Sequence, residues 1–267
     1  VSFILLLLIS IVWMIPVVWG LSTSLKSTTR IAQNPGSFIP DFDFSNYKKL
    51  FTGDRYHVLQ WMGNSFIIAV AHTAIYLVIA SLAAYAFGCL KFVLRDTIFW
   101  FLLSTTMIPA VINFVPLVSM MISLNWFQSW FALIIPGLGG VFGLFLMRQF
   151  FKAVPNELLE SAKIEGASKM GIFFKIVLPL SKSAVLVAGL FAFMGSWNDY
   201  LWPQVMLFGV PERYTLPVGL GTIISADNYE PGLSMSAAML SIIPVIIVYA
   251  FVQRWIIEGV AHTGSTI

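Results

Sequence analysis

Few residues in this chain have the types and spacing to do chemistry. Asp199, Asn198 and Asn113 are polar side chains inside otherwise apolar stretches, where such groups are functional suspects. A carboxylate and two amides suit a hydroxyl-rich solute, which is held through hydrogen bonds. Asp199 lies seventeen positions beyond Lys182. That is about 25 Å along a helix, against a hydrocarbon layer about 30 Å thick. Asp199 therefore sits near one boundary of an apolar layer, and Asn113, counted from Asp96, comes to a similar height. The competing reading of Asp199 is a helix-end residue that reaches water cheaply. His72 stands alone in mid-stretch, with no clear acidic or cysteine partner, and is expected to pack against a neighbouring helix. Cys89 is the single cysteine, and no Cys/His cluster has metal-ligand spacing. The run Gly137-Leu138-Gly139-Gly140 is glycine-rich but lacks the G-x-x-x-x-G-K-S/T pattern of a phosphate loop. It reads as close helix packing, with Gly139 and Gly143 four apart.

The other notable stretch is Glu157 to Pro179, the longest run of mixed charge in the chain. Pro155 can open a helix in its first turn, where the missing N–H costs nothing. Glu157, Leu158, Leu159, Ala162 and Ile164 then support a short amphipathic helix. Gly166 is a left-handed stop, and Pro179 bars a helix from running on unbroken. The pattern predicts a short helix, a tight turn and a second short segment. Such a helix could dock into a groove on a soluble partner; it could also be a solvated connection.

The elements that position these residues follow from composition. The chain of 267 residues is 58% hydrophobic and 10% charged, against roughly 25% charged in a soluble domain. That excludes an ordinary globular enzyme and demands lipid as solvent. The net charge of +3 is too small and spread out to argue for nucleic acid. Apolar runs predict six spans: Phe3–Leu21, Asn64–Gly88, Thr97–Met121 bent by Pro109 and Pro116, Phe131–Phe151, Ser183–Phe208 and Ser234–Val252. The first is expected to be a retained span, since it has no basic n-region and no small-x-small cleavage site. The starting residue is Val, which suggests that residues precede it. Nine of the fifteen basic residues fall after spans two, four and six, which places the charged loop and both termini in the cytoplasm. Trp126, Trp130, Trp202 and Trp255 mark span ends. The whole, residues 1–267, reads as one all-α membrane domain with external loops at 22–63 and 209–233 and a cytoplasmic loop at 152–180. A secondary carrier would need an acidic ion site at mid-membrane and, often, internal repeats; neither stands out.

Glu160-Ser161-Ala162, then Glu165-Gly166-Ala167, then Ile176, Leu178 and Pro179 resemble the EAA loop of ABC importer permeases. Ser161 replaces the first alanine and Glu165 stands where aspartate is usual. The resemblance continues through Asn64-Ser65, Ala83-Ala84-Tyr85-Ala86-Phe87, Met107-Ile108-Pro109, Phe145 to Phe151, Ser196 to Pro203, Tyr214 to Gly219 and Gln253-Arg254-Trp255. Over nearly the whole chain it is similar to maltose/multiple-sugar inner-membrane permeases; the tail after Glu258-Gly259, with His262 and Thr263, matches loosely. The resemblance implies a bacterial or archaeal cytoplasmic-membrane protein that pairs with a second permease and docks its EAA helix, between spans four and five, on a cytoplasmic ATPase dimer. An external solute-binding protein would deliver the sugar. ATP and Mg would be bound by the partner ATPase and no cofactor by this chain, which would be non-catalytic. Glu157, Glu160, Ala162, Glu165, Gly166, Ile176, Leu178 and Pro179 would couple to the ATPase. Asn113, Asn198 and Asp199 would line the outer path. Thr215, Leu216, Pro217 and Gly219 would belong to a loop that meets the binding protein. A polyol or phosphorylated polyol is the alternative cargo.

Overall fold

The computed structural model describes residues 2–52, 56–225 and 230–264, with side chains from 3 to 255 within that range. Residues 53–55 of the first external loop and 226–229 of the second lie outside the described residues, as do the side chains of Glu258, His262 and Thr263 in the tail. The described residues form helices and no strand. The helices are α1 (Ser2–Ser24), α2 (Thr28–Gln33), α3 (Ser45–Thr52), α4 (Val58–Cys89), α5 (Arg95–Thr105), α6 (Phe114–Ser123), α7 (Phe131–Ile134), α8 (Val141–Lys152), α9 (Asn156–Ile164), α10 (Lys169–Ile172), α11 (Leu178–Leu180), α12 (Lys182–Trp197), α13 (Leu201–Met206), α14 (Leu216–Ile224) and α15 (Pro231–Gly264). Three stretches are long and apolar enough to cross a membrane unaided: Phe3–Ser24, Val58–Cys89 and Pro231–Trp255. Three bent helix pairs would bring the number to six if each is one span.

The bends have local causes. The pair Arg95–Thr105 and Ala110–Ser123 turns by 85°. The break comes at Pro109, which cannot continue the ladder. Pro116 does not bend the chain, because it occupies the first turn of α6, where no intrahelical partner awaits its nitrogen. Lys169–Leu180 and Lys182–Trp197 meet at 81°. There the chain passes Pro179 through a wide π turn, Phe173–Val177, and breaks at Ser181 instead. The extra residue in that turn makes room for the proline ring, which would otherwise strike the carbonyl one turn back. The run Ser183–Phe208, expected as one span, is divided: α12 stops at Trp197 and α13 is a separate helix.

Two compact units divide the chain, residues 1–65 with 208–246 and residues 66–207 with 247–267. In the first, a polar cluster closes the end of α1. The buried Asn46 amide donates to the carbonyls of Ser24 (3.2 Å) and Lys26 (2.9 Å), and Ser236 Oγ also donates to Ser24 (3.1 Å). The Lys26 ammonium is fully buried and donates to the Ser37 carbonyl.

In the second unit, Tyr76, Ala80, Ala84 and Tyr85 of α4 pack with Met147 and Phe151 of α8 and with Ala184 and Ala188 of α12. Glycines let α4 approach closely, and of the predicted pair Gly143 takes part while Gly139 does not. A Cβ on Gly139 would meet nothing, whereas one on Gly137 would touch His72, and on Gly140 or Gly143 would touch Tyr76. The 3-10 turn at Pro136–Gly139 and the 44° bend after it break the four-residue spacing. Arg148 looked like one more cytoplasmic-side cation but is buried. Its Nη2 lies 2.7 Å from Asp96, its Nε donates to the Phe87 carbonyl at 3.1 Å, and its guanidinium covers the Phe99 ring at 3.8 Å. Arg148→Leu should lower stability by about 2–3 kcal/mol, since it removes the ion pair, the carbonyl bond and the ring contact together. Asp96→Asn should cost less, because the carbonyl and the ring still hold the guanidinium. Thermal unfolding in detergent reads both, and equal losses would contradict this division.

Candidate functional site

The charged loop folds locally, as its residues dictate. α9 begins directly after Pro155 and runs nine residues. Gly166 adopts φ +84°. Its N–H donates to the Lys163 carbonyl at 3.0 Å and that of Ala167 to Ala162 at 2.9 Å, the paired bonds of a Schellman stop. Ser168 then caps α10 by accepting from the Gly171 N–H at 3.0 Å. Leu159 and Ala162 are buried in the core with Tyr85, Phe151 and Val154, and Tyr85 Oη donates to the Lys169 carbonyl at 3.0 Å. The face left outside carries Glu157, Glu160 and Glu165, with Leu158 and Ile164 beside them. The eight residues named for coupling therefore separate into two kinds. The glutamates face outward, whereas Ala162 packs inward and Ile176 and Leu178 are half-buried. Gly166 holds the turn, and Pro179 is exposed.

The three path residues are not equivalent. Asp199 is half-buried between α12 and α13, with the backbone N–H groups of Tyr200 and Trp202 near its carboxylate. It also lines a cavity of about 440 Å³, together with His72, Tyr76, Ser196 and Trp202. One wall is a stripe of small residues on α12 (Ala188, Ala192, Gly195, Ser196) at helical spacing, which is why the space is open. Asn198 is exposed, its amide donating to Met194 at 2.9 Å, and Asn113 is exposed at the start of α6; neither is among the residues that line the cavity. His72, expected to pack against a neighbouring helix, lies against Gly137, stacks on Tyr76 with centroids 5.9 Å apart and borders the same cavity. Trp202 turns its indole N–H inward to the Ala132 carbonyl at 2.8 Å. Asp199→Ala should loosen the start of α13 by about 0.5 kcal/mol, since it removes a carboxylate from beside a helix N-terminus. It should also weaken solute transport without reducing assembly. Transport and thermal stability both unchanged would remove Asp199 from the path.

The stretch 209–233, expected as an external loop, holds a short helix of its own, α14. Thr215, Leu216 and Gly219 are buried and Pro217 half-buried, so the structure puts these residues in the fold and not on an outer surface. The first turns of α4 secure them. Trp61 Nε1 donates to the Pro211 carbonyl (3.0 Å), and the Asn64 amide to Glu212 and Tyr214 (2.9 Å each). Ser65 Oγ accepts the Leu216 N–H at 2.7 Å, satisfying an orphan donor at the start of α14. Among the described residues of the loop, Gly209, Pro211–Arg213, Thr222, Ile224 and Ser225 are exposed.

Residues 76–262 match the family described as binding-protein-dependent transport system inner membrane component. The chain belongs to that family. Among relatives of this permease, the arabinooligosaccharides transport system permease protein AraQ of Bacillus subtilis (strain 168) is 30% identical over 263 residues, 97% of this chain and 92% of its own length. The sn-glycerol-3-phosphate transport system permease protein UgpE of Yersinia pestis bv. Antiqua (strain Antiqua) is 35% identical over 202 residues, 75% of this chain and 72% of its own. In fold, the permease matches a chain in the crystal structure of a bacterial ABC transporter that imports the acidic polysaccharide alginate. The TM-score is 0.85 at 25% identity, covering 96% of this chain and 95% of that one. A chain of the alginate transporter in complex with alginate pentasaccharide-bound periplasmic protein shares the fold at TM-score 0.68 and 14% identity, over 94% and 92% of the two chains. This permease thus has the all-α fold of an ABC importer membrane subunit.

Proposed function

We propose that this permease is one of two membrane subunits of an ATP-driven importer for a sugar or oligosaccharide, working by alternating access. The observation that carries the mechanical part is α9: a short helix closed at its C-terminal end, seated on the core by Leu159 and Ala162, with its glutamates outward. In this reading α9 docks into a cleft of a cytoplasmic ATPase dimer. Glu160 makes a charged contact there, and ATP and Mg are bound by the ATPase alone. The chain crosses the membrane six times as a single permease domain with both ends in the cytoplasm. A different, homologous permease completes the path, and a solute-binding protein delivers cargo from outside to the 209–233 loop.

Two of the relatives point to different cargoes, an arabinooligosaccharide and a glycerol phosphate. The cavity favours the neutral sugar. It offers Asp199, Ser196 and the rings of Tyr76 and Trp202, and no lysine or arginine is among the residues that line it. A phosphoryl group would meet a carboxylate there and no fixed cation, whereas arginine is the usual partner for such groups. Gentle purification of the tagged permease from its native membrane tests the assembly. Recovery with a nucleotide-binding ATPase and a second permease is the expected result. A permease that purified alone and moved solute in vesicles without ATP would overturn it and favour a secondary carrier.

A further inference from the structure

The segment between α2 and α3 presents large apolar side chains where a water-exposed loop should present polar ones. Phe38, Ile39, Phe42 and Phe44 are 50%, 69%, 69% and 62% exposed. The polar side chains of residues 37–44 are engaged within the segment and with its neighbours. Ser37 Oγ accepts the Ile39 N–H at 3.1 Å; Asp41 accepts from Ser27 Oγ at 3.0 Å and lies 3.4 Å from Arg30; Asp43 accepts the Ser45 N–H at 2.8 Å. The backbone is tied down as well, since the Ser37 carbonyl takes the buried Lys26 ammonium and the Asp43 N–H donates to Leu25 at 3.0 Å. Phe42 is held at φ +57°, a conformation rare for a bulky residue and kept only where the surroundings impose it. The fold thus spends strain and a buried cation to hold an apolar face outward.

What covers that face is set by what it adjoins. Phe38 closes a groove against Ser10, Ile11, Met14, Ile15 and Val18 of α1. α1 is apolar on every side and only 6% of its most hydrophobic window is buried, so lipid is its natural surrounding. At the same end, the Trp19 indole N–H donates to the Pro35 carbonyl at 3.2 Å. Trp19 lies five residues before the end of α1, about 7.5 Å along the helix, the depth where amphipathic rings settle at a membrane boundary. A protein partner of ordinary character would make about one hydrogen bond per 100–200 Å², whereas the polar side chains of residues 37–44 are already engaged within this chain. We propose that residues 37–44 are an interfacial wedge: Phe38, Ile39, Phe42 and Phe44 insert among the acyl chains of the leaflet at the C-terminal end of α1. The wedge anchors the α1–α2 corner to the membrane surface, independently of what the permease carries.

The test uses the complete transporter in lipid nanodiscs, with Cys89→Ser as background and a single cysteine at Ile39→Cys or Phe44→Cys bearing an environment-sensitive fluorophore. Spin labels on shallow acyl carbons should quench both sites and blue-shifted emission should accompany it, as at the α1 control Ile4→Cys. Aqueous iodide should quench neither, in contrast to a label at the exposed Lys48→Cys. Iodide quenching without lipid quenching would overturn the wedge in favour of a solvated loop. Blue-shifted emission insensitive to both quenchers would overturn it in favour of a protein cover.

Discussion

Gly166→Val should abolish ATP-driven uptake while the permease still inserts and keeps its spans. At φ +84° a β-branched residue is a steric misfit, costing roughly 1–2 kcal/mol or more at a single position. A Cβ at Gly166 would meet nothing within 4 Å, so the whole penalty lies in the backbone. That makes the substitution series informative. Gly166→Asn, which tolerates the left-handed region, should retain most transport, and Gly166→Val should lose it. Gly166→Asp is sterically close to Asn, so a large loss with Asp alone would point to its charge at the docking face and not to the turn. Uptake in proteoliposomes, with ATP hydrolysis measured alongside, separates the cases. Normal uptake by both Val and Asp would count against α9 as the coupling element.

Gly219→Ala should be the most destabilising single methyl in the molecule. The new Cβ would fall within the indole of Trp61, and that ring is itself buried and hydrogen-bonded to Pro211. Overpacking typically costs 1–3 kcal/mol and sometimes more; with neither partner free to move, about 3 kcal/mol is expected. The loop around α14 should then become a site of early proteolysis and the thermal midpoint should fall. Trp61→Leu combined with Gly219→Ala should recover part of the loss by vacating the space, though it gives up the bond to Pro211. An alanine variant as stable as the parent would mean that α14 does not rest on Trp61.

The two glycines show what could be read in the sequence. Gly166 was legible because everything that fixes it is within a few residues: a proline before the helix, the helix itself, and two carbonyls one turn back. The place of Gly219 was not, because its neighbour Trp61 and the bonds from Asn64 and Ser65 come from some 150 residues away. The clue was the apolar run Leu216–Ile224, too short for a span and too apolar for a solvated loop. Arg148 was lost among the basic residues that follow the spans, since charge counting does not reveal which cation is buried. Asp199 lies at a helix end, as its competing reading had it, but the cavity beside it depends on Ala188, Ala192, Gly195 and Ser196, whose smallness matters only once α4 and the α7–α8 bend face them.

A helix of nine residues is too short to persist by itself in water. Ordering each residue costs about 1–2 kcal/mol of backbone entropy. Here that ordering is accomplished by the Schellman bonds, the Ser168 cap and the seat of Leu159 and Ala162, before any partner arrives. In the proposed docking, the encounter with a soluble partner would therefore be one between preformed surfaces, and the same residues as a free peptide would dock far more weakly. It also means that force applied at the glutamates reaches the core directly, because there is no slack in the element for a partner to take up first.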